Sequence, residues 1–534
     1  MAAPASSAVG RTDPVRPLWT KDWHAFPEAA MTPRDATPSR TRGHRSEGAV
    51  ATESHQRHVI RSMARVVPHT AKEGRVMVKN ATNISLTLVC CLSQFLHNVY
   101  GSAINMALPA ISKDLGAGVE SLQWLVSAYI IALASMLTFA GTLADRWGRK
   151  RVLALGNLVM VIGAVVCALS DAVPWLIVGR VIQGIGSALI APAGLSLLTA
   201  AFPQVSAKAV AVMWWTTVGT ASLAAGPILG GLLVRDFGWQ SIFWAGVPLG
   251  LLALVLGVVL LRESRSDAPD PFDPLGQLLL TVLLATLAFT LIEGVHLGWT
   301  SPAVLVCACA AAVSLVVLVP VELRKKYPLI PVRLFRRASF STGLVTAVLG
   351  YLALAALLFL NTFYLQAERG LDASSAGLMT LPLAGGATAS ALLAARFVEE
   401  KRSRLALLIS GALMTVGGVA LWATESAPLW TVILPYLVFG FGFGLIADPV
   451  SVTALSSLPP EEAGLASSLI STSKQVGQML GIALAGTLLA AAAGTSEATE
   501  FTEMGGWVWA LLVSAGLAIV ALNVRRRKAR AART

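Results

Sequence analysis

Fourteen apolar runs, each long enough to cross a bilayer, fill this chain from residue 84 onward. They fall near 84–106, 122–141, 151–170, 174–195, 208–233, 240–261, 275–293, 302–321, 340–360, 374–397, 404–424, 429–453, 464–490 and 505–523. A hydrocarbon core of about 30 Å takes roughly 17–25 such residues in a helix. Lipid offers no partners to exposed backbone groups, so every run is predicted to be helical. Soluble domains are about a quarter charged residues; here the share is 13%, against 55% hydrophobic, so most of the chain belongs in lipid.

The formal charge of +12 would fit a nucleic-acid binder, but its placement follows the positive-inside rule instead. Basic residues gather in alternate loops: Arg146, Arg149, Lys150 and Arg151, then Arg324, Lys325, Lys326, Arg333, Arg336 and Arg337, then Lys401, Arg402 and Arg404. The intervening loops hold only Lys113, Arg235 and Arg369, against acids such as Asp114, Asp171, Asp236, Asp372 and Glu425. The basic loops and both termini are therefore expected in the cytoplasm, as an even number of spans allows. No nucleic-acid partner is expected. All five cysteines lie in apolar runs, which argues against a disulfide framework. No metal-ligand spacing, phosphate loop or nucleophile–base set is visible, so no metal, cofactor or enzymatic activity is expected.

Three signatures sit in order on the early spans. They are Gly141-Thr-Leu-Ala-Asp145-Arg146-Trp-Gly148-Arg149-Lys150, then Arg180-Val-Ile-Gln183-Gly184-Ile-Gly186, then Gly219 leading to Gly226-Pro227-Ile-Leu-Gly230-Gly231. Together they resemble motifs A, B and C of the major facilitator superfamily. Further segments are similar to its fourteen-span drug:proton antiporter family: Trp124-Leu-Val-Ser-Ala-Tyr129, Trp239-Gln-Ser-Ile-Phe243, Tyr364-Leu-Gln366, Leu381-Pro382 and Lys474-Gln475-Val-Gly477. The resemblance implies an all-α fold of two six-helix bundles plus two inserted helices. It also implies export of a small amphipathic compound, a drug or antibiotic, in exchange for protons. The proton gradient would be the energy source. Residues Gly141, Asp145, Arg146, Gly148, Arg149 and Lys150 would form a cytoplasmic latch, with Asp145 near the start of the third span, where a helix N-terminus favours a carboxylate; the bland alternative is a turn that only fixes topology. The span-five glycines and Pro227 pack helices closely in either reading, and in the superfamily this signature marks exporters.

Polar residues inside spans are costly and usually face a cavity or a partner. The resemblance implies a part for Arg180 in proton coupling; hydrogen bonding to neighbouring carbonyls is the alternative. Gln94, His97, Gly101 and Asn105 recur at helical spacing and form one polar stripe. His97 either titrates or joins helices as a neutral ring. The family pattern places an acid nine positions before the proline of Asn105-Met-Ala-Leu-Pro109, where this chain has Tyr100. Asp448 and Lys474 are expected at similar depth, either as an ion pair or with Asp448 as a proton carrier. Glu293, ending span seven, is a further coupling candidate or an exposed interfacial residue. Gln94, His97, Tyr100, Asn105, Gln183, Trp214 and Trp215 are candidate cavity residues.

The expected organisation is a disordered N-terminal extension (1–80, with Met77 as an alternative start), a six-helix bundle (81–261) and a linker (262–274). Two inserted spans (275–321), a basic loop (322–339), a second bundle (340–523) and a basic tail (524–534) follow. The protein is expected to be a monomer in the inner membrane of a bacterium. Export of an ordinary metabolite or lipid, or a receptor or scaffold that kept the fold without transport, are the alternatives.

Overall fold

We describe the protein from a computed structural model, over residues 81–202, 204–266, 271–399, 402–456, 458, 463–493 and 501–531. The expected extension at 1–80 lies outside them. Sixteen α-helices carry the described chain: α1 (Ala81–Leu115), α2 (Val119–Trp147), α3 (Arg149–Ala168), α4 (Val173–Ala201), α5 (Val205–Phe237), α6 (Gln240–Leu260), α7 (Pro274–His296), α8 (Pro302–Arg324), α9 (Ala338–Phe363), α10 (Ala373–Met379), α11 (Leu381–Glu399), α12 (Ser403–Ala423), α13 (Ile433–Gly444), α14 (Ala447–Leu455), α15 (Ala463–Ala493) and α16 (Phe501–Ala531). No strand occurs among the described residues.

Eleven of the helical stretches are long and apolar enough to cross a membrane, or twelve if the two limbs of α5 form one bent span. The apolar runs at 464–490 and 505–523 form α15 and α16. Prolines shape several spans by removing an N–H from the helical ladder. The limbs of α5 meet at 42°, one turn ahead of Pro227. The tenth span divides at Thr380, two residues before Pro382, into α10 and α11. The twelfth divides after Gly444 into α13 and α14, so Asp448 sits in the first turn of a new helix, where the backbone N–H groups favour a carboxylate.

Helices α1 to α6 pack mainly on one another, as do α9 and α11 to α16. The two sets meet where α2 crosses α15, where α5 meets α10, and along α1 and α9. Helices α7 and α8 pair, and α7 rests on both α2 and α15. Burial follows from this: the central α2 is 78% buried over its apolar window and the peripheral α8 only 22%. The exposed side chains of α8, including Leu305, Val306, Val313 and Val316, are apolar, as a lipid-facing surface requires.

Candidate transport cavity

A cavity of about 2250 Å³ lies between the two sets of helices. One wall comes from α1, α2, α4 and α5, the other from α9, α11, α13, α14 and α15. Its mouth is on the face of the basic loops, where Asp145, Asp273, Glu322, Lys325, Lys326 and Arg333 line it. The opposite end is shut by contacts between the two sets. A side chain on Gly231 would overlap the Ala373 carbonyl, and one on Gly377 would overlap the Pro227 carbonyl. Gln123 donates from Nε2 to the Ala483 carbonyl at 3.0 Å, Gln366 to the Met106 carbonyl at 3.2 Å, and Arg235 to Ser374 Oγ at 3.4 Å.

The third signature builds this seal in two layers. Gly226 and Gly230 bring α5 onto α1: the space of a Gly226 side chain is filled by Ser102, and a Gly230 Cβ would stand 2.7 Å from the Ala103 carbonyl oxygen. Gly231 then carries the contact across to α10. Gly219 is looser, with Gln94 Nε2 3.4 Å from where its Cβ would be.

Gln94 and His97 line the cavity, as their shared stripe predicts. Asn105 lies beyond them, in a side pocket of about 80 Å³ bounded also by His97, Tyr129, Gln475 and Gln478. His97 Nδ1 stands 2.9 Å from the Tyr129 hydroxyl, which also lies 2.9 Å from Ser187 Oγ. The face of the Tyr129 ring holds the Arg180 guanidinium at 4.3 Å. Arg180 is wholly buried and donates to the Leu125 carbonyl (3.0 Å), the Tyr100 carbonyl (3.1 Å) and Gln183 Oε1 (3.0 Å). Among the described residues no carboxylate pairs with it. The geometry is that of hydrogen bonding to neighbouring carbonyls, joined to the cavity wall through Tyr129 and His97. Nothing in the sequence beyond the Trp124–Tyr129 segment singles out Tyr129, which joins the two.

Several expected placements are corrected. Tyr100 does not line the cavity; its hydroxyl donates to the Phe243 carbonyl at 3.1 Å and its ring stacks on Phe243. Gln183 is wholly buried against Arg180. Trp215 lines the cavity, but Trp214 is exposed on the outer surface of α5. Asp448 and Lys474 both line the cavity without pairing with each other; Asp448 is exposed to it, and Lys474 Nζ stands 5.6 Å above the Tyr351 ring. The pairing argument assumed burial, and an open cavity removes that premise. Glu293 is buried rather than interfacial, and accepts the Trp124 indole N–H at 2.7 Å.

At the mouth, Asp145 lies in the last turn of α2, not at the start of α3, and binds Arg149 at 2.9 Å. The N-terminus of α3 is capped instead by Glu263 of the linker, whose carboxylate accepts from the Lys150 N–H (3.0 Å) and the Arg151 N–H (3.3 Å). Gly148 permits this: its φ of +113° and missing side chain leave room for that carboxylate. Ser264 and Ser266 exchange backbone hydrogen bonds with Arg149 and Asp145, so the linker is tied to the latch loop. Arg146 and Lys150 have no side-chain partner described. Across the mouth, Lys325 bridges Asp273 and Glu322, and Glu322 accepts the Ile330 N–H at 2.8 Å, which holds the basic loop in place. Burial opposes the charge on Asp273, but hydrogen bonds from Lys325 and the Gly276 N–H keep its carboxyl below the usual range.

A large cavity walled by two sets of membrane-length helices, open on one face and shut on the other, defines a multi-pass membrane transporter. The chain belongs to the Major Facilitator Superfamily, whose family model matches residues 90–482, and it is a transporter rather than an enzyme. It is 32% identical to the multidrug resistance protein Stp of Mycobacterium tuberculosis over 77% of each chain. It is 34% identical to the tetracenomycin C resistance and export protein of Streptomyces glaucescens, over 75% of this chain and 74% of that one. In fold it is similar to an auto-inhibited POT family peptide transporter, with a TM-score of 0.63 at 17% identity over 83% of this chain and 97% of that one.

Proposed function

We propose that the protein exports small amphipathic organic compounds, drugs or antibiotics among them, in exchange for protons. It would span the bacterial inner membrane fourteen times as a monomer, as two bundles with α7 and α8 inserted between them and both termini cytoplasmic. The observation that carries this reading is the cavity, open beside the basic loops and sealed at the other end by the third signature. By the positive-inside rule that opening faces the cytoplasm, where an exporter loads. Rocking of the two helix sets would break the Gly231–Ala373 seal and close the mouth, with Asp145 and Arg149 as the latch on the closing side. The names of the relatives, resistance and export proteins, support the same direction and substrate range.

For the coupling proton, Asp448 is the carboxylate exposed on the cavity wall away from the mouth cluster, and His97, tied to Tyr129, is the second candidate. Glu293 is engaged with Trp124 outside the cavity lining, and Arg180 contributes structure around His97. In an efflux-deficient bacterial host, the wild type should lower accumulation of fluorescent drugs. Asp448→Asn should lose roughly tenfold or more of that transport, in line with removal of an acid–base group, at unchanged membrane abundance. Accumulation unaffected by the wild type across a chemically broad panel would contradict export; full activity in Asp448→Asn would remove that residue from coupling.

A further inference from the structure

The charges within the cavity are unevenly placed. Carboxylates Asp145, Asp273 and Glu322 lie at the mouth, the first two and the last each beside a basic partner, Arg149 or Lys325. Asp448 sits about 10 Å along the axis from the end of α14 at Leu455, counted at roughly 1.5 Å per residue. Lys474 lies about 16 Å along α15 from Ala463 by the same rise.

Among the described residues no carboxylate is within ion-pair distance of Lys474. Its ammonium stands over Tyr351, which meets Phe443 edge to face at 5.1 Å. Gln475 and Gln478 line the cavity on the same helix, and Gln94 lines it from α1. The Oε1 atoms of Gln94 and Gln475 are buried without a hydrogen-bond partner, and Gln94 is only 8% exposed. The first span offers no acid to receive a cation, because Tyr100 occupies that position and is turned onto Phe243. The deep cavity therefore holds an unpaired ammonium, an aromatic pair and unsatisfied amides. Lys474 is half-buried on the cavity wall, and the unpartnered amide oxygens carry a desolvation cost that a complementary ligand removes.

We propose that Lys474, with Tyr351, Phe443, Gln94 and Gln475, forms an anion subsite, and that the protein prefers aromatic compounds bearing an acidic group, a carboxylate or ionised phenol, over organic cations. The acid binds the ammonium, the ring packs on Tyr351 and Phe443, and hydroxyls reach the amide oxygens. This rests on the cavity being the substrate site, as proposed above.

The test uses two xanthene dyes of similar size, anionic fluorescein and cationic rhodamine 123, binding to the purified full-length protein in detergent at neutral pH. Wild-type protein should bind fluorescein at least tenfold more tightly than rhodamine 123. Lys474→Met should lose tenfold or more for fluorescein while rhodamine binding holds or improves, which also reports an intact fold. Lys474→Arg should retain fluorescein binding. Preference for rhodamine, binding of neither dye, or equal loss for both dyes in Lys474→Met overturns the proposal. Lys474-dependent fluorescein binding in a protein that moves no compound across vesicles would instead refute export and leave the subsite standing.

Discussion

Gly231→Leu is expected to abolish transport while leaving the protein folded and in the membrane. The new Cβ would meet the carbonyl of Ala373, and its next neighbours, the Ala373 carbonyl carbon at 2.8 Å and Ser374 Cα at 3.0 Å, are backbone atoms that cannot rotate away. Overpacking of this kind costs about 1–3 kcal/mol. Each 1.4 kcal/mol is about a factor of ten in an equilibrium, so the sealed state should fall roughly five- to 140-fold in population against one open on the far side. A membrane-impermeant maleimide applied from outside reads this directly. Asn105→Cys, in the side pocket behind the seal, in a background without the native thiols, should be protected in the parent and labelled when Gly231→Leu is added. Gly219→Ala, with room for its methyl, should change neither transport nor labelling. Full transport and unchanged protection in Gly231→Leu would show that the third signature is not the seal.

The largest loss of stability is expected at Arg180. Its guanidinium makes three hydrogen bonds and lies on the Tyr129 ring, all in a fully buried setting. Hydrogen bonds to charged groups contribute about 1.5–3 kcal/mol each, so Arg180→Met should lower stability by about 3 kcal/mol or more. Arg180→Lys should recover little, because an ammonium cannot reproduce the planar fork that reaches Leu125, Tyr100 and Gln183 together. Thermal unfolding of the purified variants in detergent checks this. Wild-type midpoints for both, with transport lost, would return Arg180 to the coupling machinery and away from the structural role its contacts describe.

The spans were legible because lipid leaves a chain of this composition little choice: long apolar stretches become helices, and the polar stripe of Gln94 and His97 did find the cavity. What the sequence left open was mostly rotation and return. Adjacent helical residues point about 100° apart, and here Trp215 turns to the cavity while Trp214 is exposed. Tyr100 and His97, three apart on the same helix, still diverge because Tyr100 is captured by Phe243 on α6. The unpaired state of Asp448 and Lys474 depends on an open cavity between two helix sets, which no local pattern encodes. Glu263 was unmarked because its role requires the linker to fold back more than a hundred residues, onto α3. Tyr129 looked like one more aromatic in an apolar run until His97, Ser187 and Arg180 converged on it.

Everted membrane vesicles with an acidified interior test the central claim, proton-driven export, most directly. In the proposed orientation the cavity mouth then faces the medium, and substrate uptake into the vesicle must drive protons out. Adding transported compounds from a broad antibiotic and dye panel should collapse the interior acidity within the time of substrate entry, and an uncoupler should stop that entry. Substrate accumulation that leaves the gradient untouched and continues after the uncoupler would contradict antiport.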